Sequence, residues 1–241
     1  MALTDAQIDR FSRQIILPQI GGRGQEHLLQ SSVALAGNGE LAAVTALYLA
    51  GAGIGSMALH GSTSDLHAAL RDLAPDLRVT GVPGLLGSVS ADVLVACNMP
   101  LPEIDHAVTA GGQLVAGGTE SHRGWLVVAH GPDTCASCGA RGFGVRELAP
   151  ALGWEGSGRS DAARTADAPG PERPCLEQLG IAALQSPVIG VIGSLMSLAV
   201  LKLLLELGEP ARPVWLEFDA ARATLTEHRI ERAPDCPACL T

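Results

Sequence analysis

The sequence predicts an α/β fold, with a mostly parallel sheet and helices on both of its faces. Strand-like and helix-like segments alternate from residue 32 onward, and this alternation is typical of a parallel sheet. A glycine turn, Gly37-Asn38-Gly39, joins the first strand-like segment to the first apolar helix-like segment, which is how a βαβ unit begins. The length of 241 residues suits one large domain.

The individual elements follow from capping signals and periodicity. Thr4 and Gln7 form a capping-box pattern, which predicts a helix through about Arg13. Further helical segments are expected over 25–30, 41–50, 65–73 with Ser64 as its cap, 102–110 and 186–207. Strands are expected over 32–36, 56–60, 78–82, 92–97, 113–116, 124–130, 214–218 and 223–230. Residues 141–173 have little periodicity and predict a long mobile loop.

Composition limits the possible functions. Apolar residues make up 47% of the chain and charged residues 17%, which argues for a globular protein. The formal net charge of −9 argues against nucleic acid or an anionic membrane as the main partner. Aromatic residues are 3% of the chain, too few for base-stacking platforms.

The sequence predicts a cytoplasmic protein without a membrane span. The first residues are polar and show no secretory pattern. The uncharged stretch 41–64 is interrupted by Gly51, Gly53 and Gly55, which favours a helix, a tight turn and a short strand. The apolar run 188–201 is shorter than a span and ends at Lys202, so a buried core helix is expected.

The cysteine spacing indicates a metal site. Two C-x-x-C pairs, 97 residues apart, suit tetrahedral zinc in a reducing compartment, with a structural role because four protein ligands leave no open position. The proposed ligands are Cys135, Cys138, Cys236 and Cys239. Two separate redox or incidental pairs are the alternative. Of the remaining cysteines, Cys97 is predicted to be a buried core thiol, and Cys175 is either an exposed reactive thiol or an incidental loop residue.

The glycine turn matches a nucleotide cradle in its backbone but not in its charges. Gly37, Gly39 and Ala42 occupy the positions at which backbone N–H groups of a helix start receive phosphates. Glu40 lies inside the same turn, where a carboxylate would repel phosphates. The second strand ends in His60, although an acidic ribose ligand is expected there. Lys202 is the sole lysine of the chain and lies far from this turn in sequence.

Several segments together resemble the ThiF/MoeB/HesA family, the bacterial relatives of ubiquitin-activating enzymes. The N-terminal half contributes the segments 10–18, 24–25 and 48–55, and the C-terminal half contributes 186–195, 202–205, 218–219 and 234–239. The resemblance covers nearly the whole chain and implies a Rossmann-like domain over 1–241. Its parts would be N-terminal helices (1–31), a nucleotide-fold core (32–140), a crossover loop (141–174) and a C-terminal part with the second zinc knuckle (175–241).

The resemblance also implies an activity. Family members bind ATP and magnesium and adenylate the C-terminal glycine of a ubiquitin-like sulfur carrier protein, as homodimers whose C-terminal part is held by zinc. Arg13 matches an arginine that reaches the phosphates of the partner's ATP. Cys175 matches the cysteine that carries sulfur to the activated carrier.

Four departures from the family pattern predict a weakened activity. The family turn G-x-G-G-L-G is Gly37-Asn-Gly-Glu-Leu-Ala42 here, His60 replaces the acidic ribose ligand, the segment between 60 and 65 is shortened, and Asn98 stands where the family's aspartate is expected. We therefore expect a degenerate member that binds a carrier-like protein or peptide with weak or no ATP-dependent adenylation. The alternatives are an active adenylyltransferase or sulfurtransferase, with Arg71 or Arg78 on the phosphates, and a non-catalytic subunit paired with an active paralogue.

Overall fold

The computed structural model describes residues 2–37, 39–61, 64–83, 90–100, 104, 112–130, 138, 176–208 and 213–231, with the backbone alone at 130 and over 176–184. In these ranges the helices are α1 (Asp5–Ile15), α2 (Gly21–Gln30), α3 (Gly39–Ala52), α4 (Ser64–Leu73) and α5 (Leu176–Leu204). The strands are β1 (Ser32–Ala36), β2 (Ser56–His60), β3 (Arg78–Gly81), β4 (Val93–Cys97), β5 (Gln113–Glu120), β6 (Arg123–His130), β7 (Val214–Asp219) and β8 (Thr224–Arg229). The predicted loop 141–173 and most of the predicted helix 102–110 lie outside the described residues.

One sheet of eight strands has the order β3-β2-β1-β4-β5-β6-β7-β8. The pairings from β3 to β5 are parallel, and those from β5 to β8 are antiparallel. The antiparallel part follows from short connections, since only Ser121 and His122 separate β5 from β6, and a chain that reverses in two residues forms a hairpin. The predicted α/β fold with a mostly parallel sheet is confirmed.

The described helices α3, α4 and α5 cover one face of the sheet. Fully buried side chains from α3 and α5, among them Leu41, Leu49, Ile192 and Met196, form one core cluster with the strands. Ser197 Oγ donates to the Thr45 carbonyl at 3.2 Å, and Gly193 leaves room for Val44, so α3 and α5 approach closely.

The opposite face has its own apolar cluster, in which two tryptophans stack. The rings of Trp125 and Trp215 are nearly parallel, with centroids 5.1 Å apart. Ile104 and Cys138, the described helical residues on this side, belong to the same cluster. The chain moves from β4 to β5 in the opposite direction along the sheet from its moves through α3 and α4, and right-handed connections therefore account for the position of Ile104 on this second face.

Helix α1 is fixed at the edge of the sheet where the parallel strands begin. The predicted capping box is present, because Thr4 and Gln7 exchange both side-chain hydrogen bonds. Arg10 donates to the carbonyl of Leu73, the last residue of α4, and Phe11 packs under Gly53, which precedes β2. We call this the amino edge of the sheet, and the opposite edge, where β1, β2, β4 and β5 end, the carboxyl edge.

Helix α5 begins ten residues earlier than predicted, at Leu176 rather than Ser186. The sequence interpretation failed because Ser followed by Pro is typical of a helix start, whereas Pro187 lies inside this helix. The stretch Gln185–Leu204 is long and apolar enough to cross a membrane, and half of it is buried inside the structure. That buried half packs on β5, β6 and α3, as expected for a core helix.

Candidate functional site at the carboxyl edge

The connections of the sheet create a crevice between β1 and β4. The chain leaves β1 through α3 toward β2 on one side, and it leaves β4 toward β5 on the other side. Ligands of open α/β sheets bind at such a reversal, beyond the carboxyl ends of the strands. Gly37 follows β1 and Asn98 follows β4, so these two residues border the crevice.

The glycine turn is held by the neighbouring strand. Gly37 has φ +118, and a Cβ atom at this position would collide with the carbonyl oxygen of Cys97. Gly39 has φ +80, with no atom within 4 Å of the space that a Cβ would fill. Ala42 is 1% exposed and packs into the core at the start of α3. Gly37 and Gly39 therefore have the positive φ values of a tight turn between β1 and α3, and Asn38 lies outside the described residues.

The side chains around this cradle differ from those of a phosphate site. Glu40 is exposed in the first turn of α3. His60 is 4% exposed, and its carbonyl accepts the N–H of Gly37 at 3.3 Å. The imidazole is therefore buried, and His60 supports the turn through its backbone carbonyl.

Asn98 ties β4 to β5 through an unusual backbone conformation. Its φ is +52, in the left-handed region that Asn tolerates better than most residues. The Asn98 N–H donates to the Gly117 carbonyl at 2.8 Å, and its side-chain Oδ1 accepts from the Thr119 N–H at 2.9 Å. The sequence identified the position but gave no sign of this conformation or of these bonds.

Cys97 is the buried core thiol that the sequence predicted. It is 1% exposed, and burial raises the pKa of the thiol to about 12, although a hydrogen bond with Thr45 acts in the opposite direction. The thiol therefore stays protonated at neutral pH and is not a nucleophile.

The structure contradicts one predicted role for two basic residues. Arg71 lies in the last turn of α4, and Arg78 is the first residue of β3, paired with Ser56 at the start of β2. Both therefore lie at the amino edge. Because the crevice is at the carboxyl edge, the expectation that these arginines bind phosphates there is wrong.

Arg13 and Lys202 also lie toward the amino edge. Arg13 is exposed in the last turn of α1, and Lys202 is exposed near the end of α5, where the neighbouring Leu205 contacts Gly24 of α2. A strand of five residues spans about 17 Å, so neither side chain lies next to the crevice of its own chain.

Among the predicted zinc ligands, the described residues include Cys138. It is 3% exposed and belongs to the apolar cluster that contains Ile230. Cys135, Cys236, Cys239 and the predicted sulfur carrier Cys175 lie outside the described residues. The part of the chain that the structure describes contains no group of three or more metal-binding side chains.

Comparisons with known proteins give the fold and the family. The ThiF family model matches residues 11–60. The sulfur carrier protein adenylyltransferase of Thermus thermophilus is 30% identical over 99% of this chain and 93% of its own length. The sulfur carrier protein ThiS adenylyltransferase of Escherichia coli is 30% identical, with 98% and 97% covered.

Solved structures agree with the architecture. The microcin C7 biosynthetic enzyme MccB in complex with N-formylated MccA has a TM-score of 0.66 at 16% identity, over 98% of this chain and 77% of that one. E. coli MccB with ATP has the same TM-score and identity, with 96% and 74% covered. Such a likeness supports the fold alone, whereas the relatives that match this chain from end to end at 30% identity establish its descent. The chain belongs to the ThiF family.

Proposed function

We propose that this chain is a dimeric ThiF-family protein whose C-terminal part is held by zinc. It binds a carrier-like protein or peptide and adenylates it weakly or not at all. The observation that carries the proposal is the contrast at the carboxyl edge. Gly37 and Gly39 have the positive φ values of a tight turn. Glu40 and Asn98 border the crevice, whereas the basic residues Arg71, Arg78 and Lys202 lie away from it. Polyphosphate binding normally requires cationic side chains or a metal in addition to backbone N–H groups.

A partner tail remains compatible with this edge. Backbone N–H groups at the start of α3 and the amide of Asn98 bind neutral or singly charged oxygens. The relatives named above act on a sulfur carrier protein, and MccB was solved with the peptide MccA. We infer that this chain likewise receives the tail of a protein or peptide.

The place of Arg13 supports a role across a dimer. It lies toward the amino edge, on the opposite side of the sheet from its own crevice, so any ligand phosphate that it contacts belongs to another chain. The second chain is either another copy or an active paralogue. Exposed apolar side chains on α3 and α5, with Tyr48 58% and Leu198 52% exposed, supply a surface for association.

The topology also supports the tetracysteine zinc site. Strand β6 ends opposite Gln113, the first residue of β5, and β8 ends opposite Val214, the first residue of β7. Both segments that lead to the cysteine pairs therefore leave the sheet at the amino edge, about 10 Å apart across two strand spacings. The zinc would join these connections on the side away from the crevice, which suits a structural ion.

A working adenylyltransferase is the second candidate, because the full-length relatives at 30% identity carry that name. In that case Cys175 would carry sulfur. Leu176, the residue after it, begins α5, whose Ile192 reaches Gly124 near the carboxyl edge. The first half of this helix therefore lies toward the crevice.

Pyrophosphate exchange into ATP distinguishes the two candidates. The assay would use the purified chain with a ubiquitin-like sulfur carrier and magnesium, with the E. coli ThiS adenylyltransferase as the positive control. We expect exchange at least about a hundredfold slower than the control, since each lost ionic contact costs about tenfold or more. Exchange at the control's rate would refute the proposal, and loss of sulfur transfer in Cys175→Ala would then assign the thiol.

A further inference from the structure

The amide of Asn98 has one possible orientation. The N–H of Thr119 lies 2.9 Å from the side chain, and a backbone N–H requires an acceptor, so the atom that faces it must be Oδ1. Nδ2, with its two N–H groups, then faces away from β5. In the described part of the chain Nδ2 has no hydrogen-bond partner, and the side chain is exposed at the carboxyl edge.

Two exposed acidic residues belong to the segments that meet Asn98. Glu40 lies in the first turn of α3, after the glycine turn in which Gly37 packs directly on the carbonyl of Cys97. Glu120 follows Thr119, the residue bound by Asn98, and is exposed at the end of β5. At position 98 itself the side chain offers an N–H donor rather than a carboxylate.

A divalent cation cannot bind next to the N–H groups of Asn98 Nδ2. A cation that approached Nδ2 would meet the positive end of the N–H dipoles, and magnesium binds through oxygen. The oxygen of Asn98 is already an acceptor for Thr119. Asn98 therefore does not fit the role of a ligand to the magnesium ion that the family's reaction uses.

We propose that Asn98 determines the ligand specificity of the crevice: its Nδ2 donates directly to an oxygen of the bound ligand, with no divalent cation between them. The inference concerns the same crevice as the proposed function and rests on it. The inference attributes the lack of a cation at this position to one atom, Nδ2 of Asn98. Asn98→Asp keeps an acceptor for Thr119 and a residue type that tolerates positive φ, while it replaces Nδ2 with an oxygen.

Manganese and ATP are the probes for the test. Mn²⁺ affinity would be measured by electron paramagnetic resonance, and ATP affinity by calorimetry in Mn²⁺ and in EDTA, on the full chain. Asn98→Gly is the matched control, because glycine accepts φ +52 and supplies neither a donor nor a carboxylate. Circular dichroism and thermal unfolding verify that each variant is folded.

We expect Asn98→Asp to bind Mn²⁺ at least about tenfold more tightly than the wild type, since one added carboxylate oxygen contributes about that factor to the binding of a divalent cation. Its ATP affinity should depend on Mn²⁺, whereas EDTA should leave any ATP affinity of the wild type and the glycine control unchanged. Equal Mn²⁺ affinity in all three proteins, or a wild-type ATP affinity that falls tenfold in EDTA, would overturn the inference. The Mn²⁺ comparison involves no carrier and no turnover, so its failure is distinct from rapid pyrophosphate exchange, which would refute the proposed function.

Discussion

Two glycines of one turn provide a test of how the crevice is built. Gly37 and Gly39 both have positive φ, +118 and +80, but their surroundings differ. A Cβ at Gly37 would overlap the Cys97 carbonyl, whereas a Cβ at Gly39 would meet no atom within 4 Å. Substitution by alanine at both positions therefore imposes backbone strain, and only Gly37→Ala adds a collision with β4.

The expected losses of stability follow from these two contributions. Backbone strain at such φ values costs about 1–3 kcal/mol, and a forced contact in a packed region costs about 1–3 kcal/mol more. Gly37→Ala should thus lower the free energy of unfolding by about 2–6 kcal/mol, and Gly39→Ala by about 1–3 kcal/mol. For a chain of this size each kcal/mol lowers the Tm by about 2–4 °C.

Urea unfolding, followed by circular dichroism and tryptophan fluorescence, measures both variants under the same conditions. The decisive quantity is the difference between the two losses, because strain contributes similarly to both and the collision to one. A difference below about 0.5 kcal/mol, which is near the error of such extrapolations, would show that the contact with Cys97 does not constrain the turn.

Three further outcomes are expected. First, burial raises the pKa of Cys97 to about 12 from 9.0, so the contribution of the protonated thiol is complete below pH 9 and is lost as the pH rises toward 12; a wild type that loses no more stability over this range than Cys97→Ala would contradict the assignment. Second, Leu198→Glu should convert a dimer of twice 24.7 kDa to a monomer in light scattering, with Glu206→Lys as an exposed control, and an unchanged mass in Leu198→Glu would exclude this face from the dimer interface. Third, the purified protein should contain one zinc per chain, and chelation should lower its Tm by at least about 5 °C, since structural zinc contributes folding free energy directly. A metal-free protein of unchanged Tm would exclude the structural zinc site.

The sequence predicted the parallel half of the sheet well, because local signals and tertiary packing agree there. Strand β2 begins at Ser56 and ends at His60 as expected. The helix after the glycine turn and the buried state of Cys97 were confirmed. In these segments apolar side chains are continuous and bounded by glycines, so the pattern and the packing indicate the same element.

The prediction failed where packing overrides a local signal. Strand β5 continues through Gly117 and Gly118 to Glu120, although two adjacent glycines favour a turn. Their backbones are covered by Met196 and by the ring of Trp125, which leave no space for a Cβ. The glycines are there to admit two large side chains, and no property of the segment itself reveals which residues will cover it.

The residues that border the crevice were identified by sequence, but their chemical roles were not. His60 was expected to replace the acidic ribose ligand, and it is buried, with its backbone carbonyl accepting from Gly37. Asn98 was expected to be a lost carboxylate, whereas its amide oxygen accepts from Thr119. Both roles depend on contacts between strands, and a single sequence contains no information on which backbone N–H lies opposite a given side chain.

The glycine pattern gives different amounts of information about the fold and about the ligand. Gly37 is required because the carbonyl of Cys97 occupies the space of its Cβ, and that requirement holds whether or not a phosphate binds. Glu40 is exposed in the first turn of α3, so packing places few demands on its side chain. Asn98 is also exposed, but its position requires an acceptor for Thr119 and tolerance of positive φ, which an aspartate would also provide. The chemistry at both positions can therefore change while the sheet and its turn stay the same. The glycine turn is therefore strong evidence for the fold and weak evidence for the nucleotide, and the ligand must be inferred from positions 40 and 98.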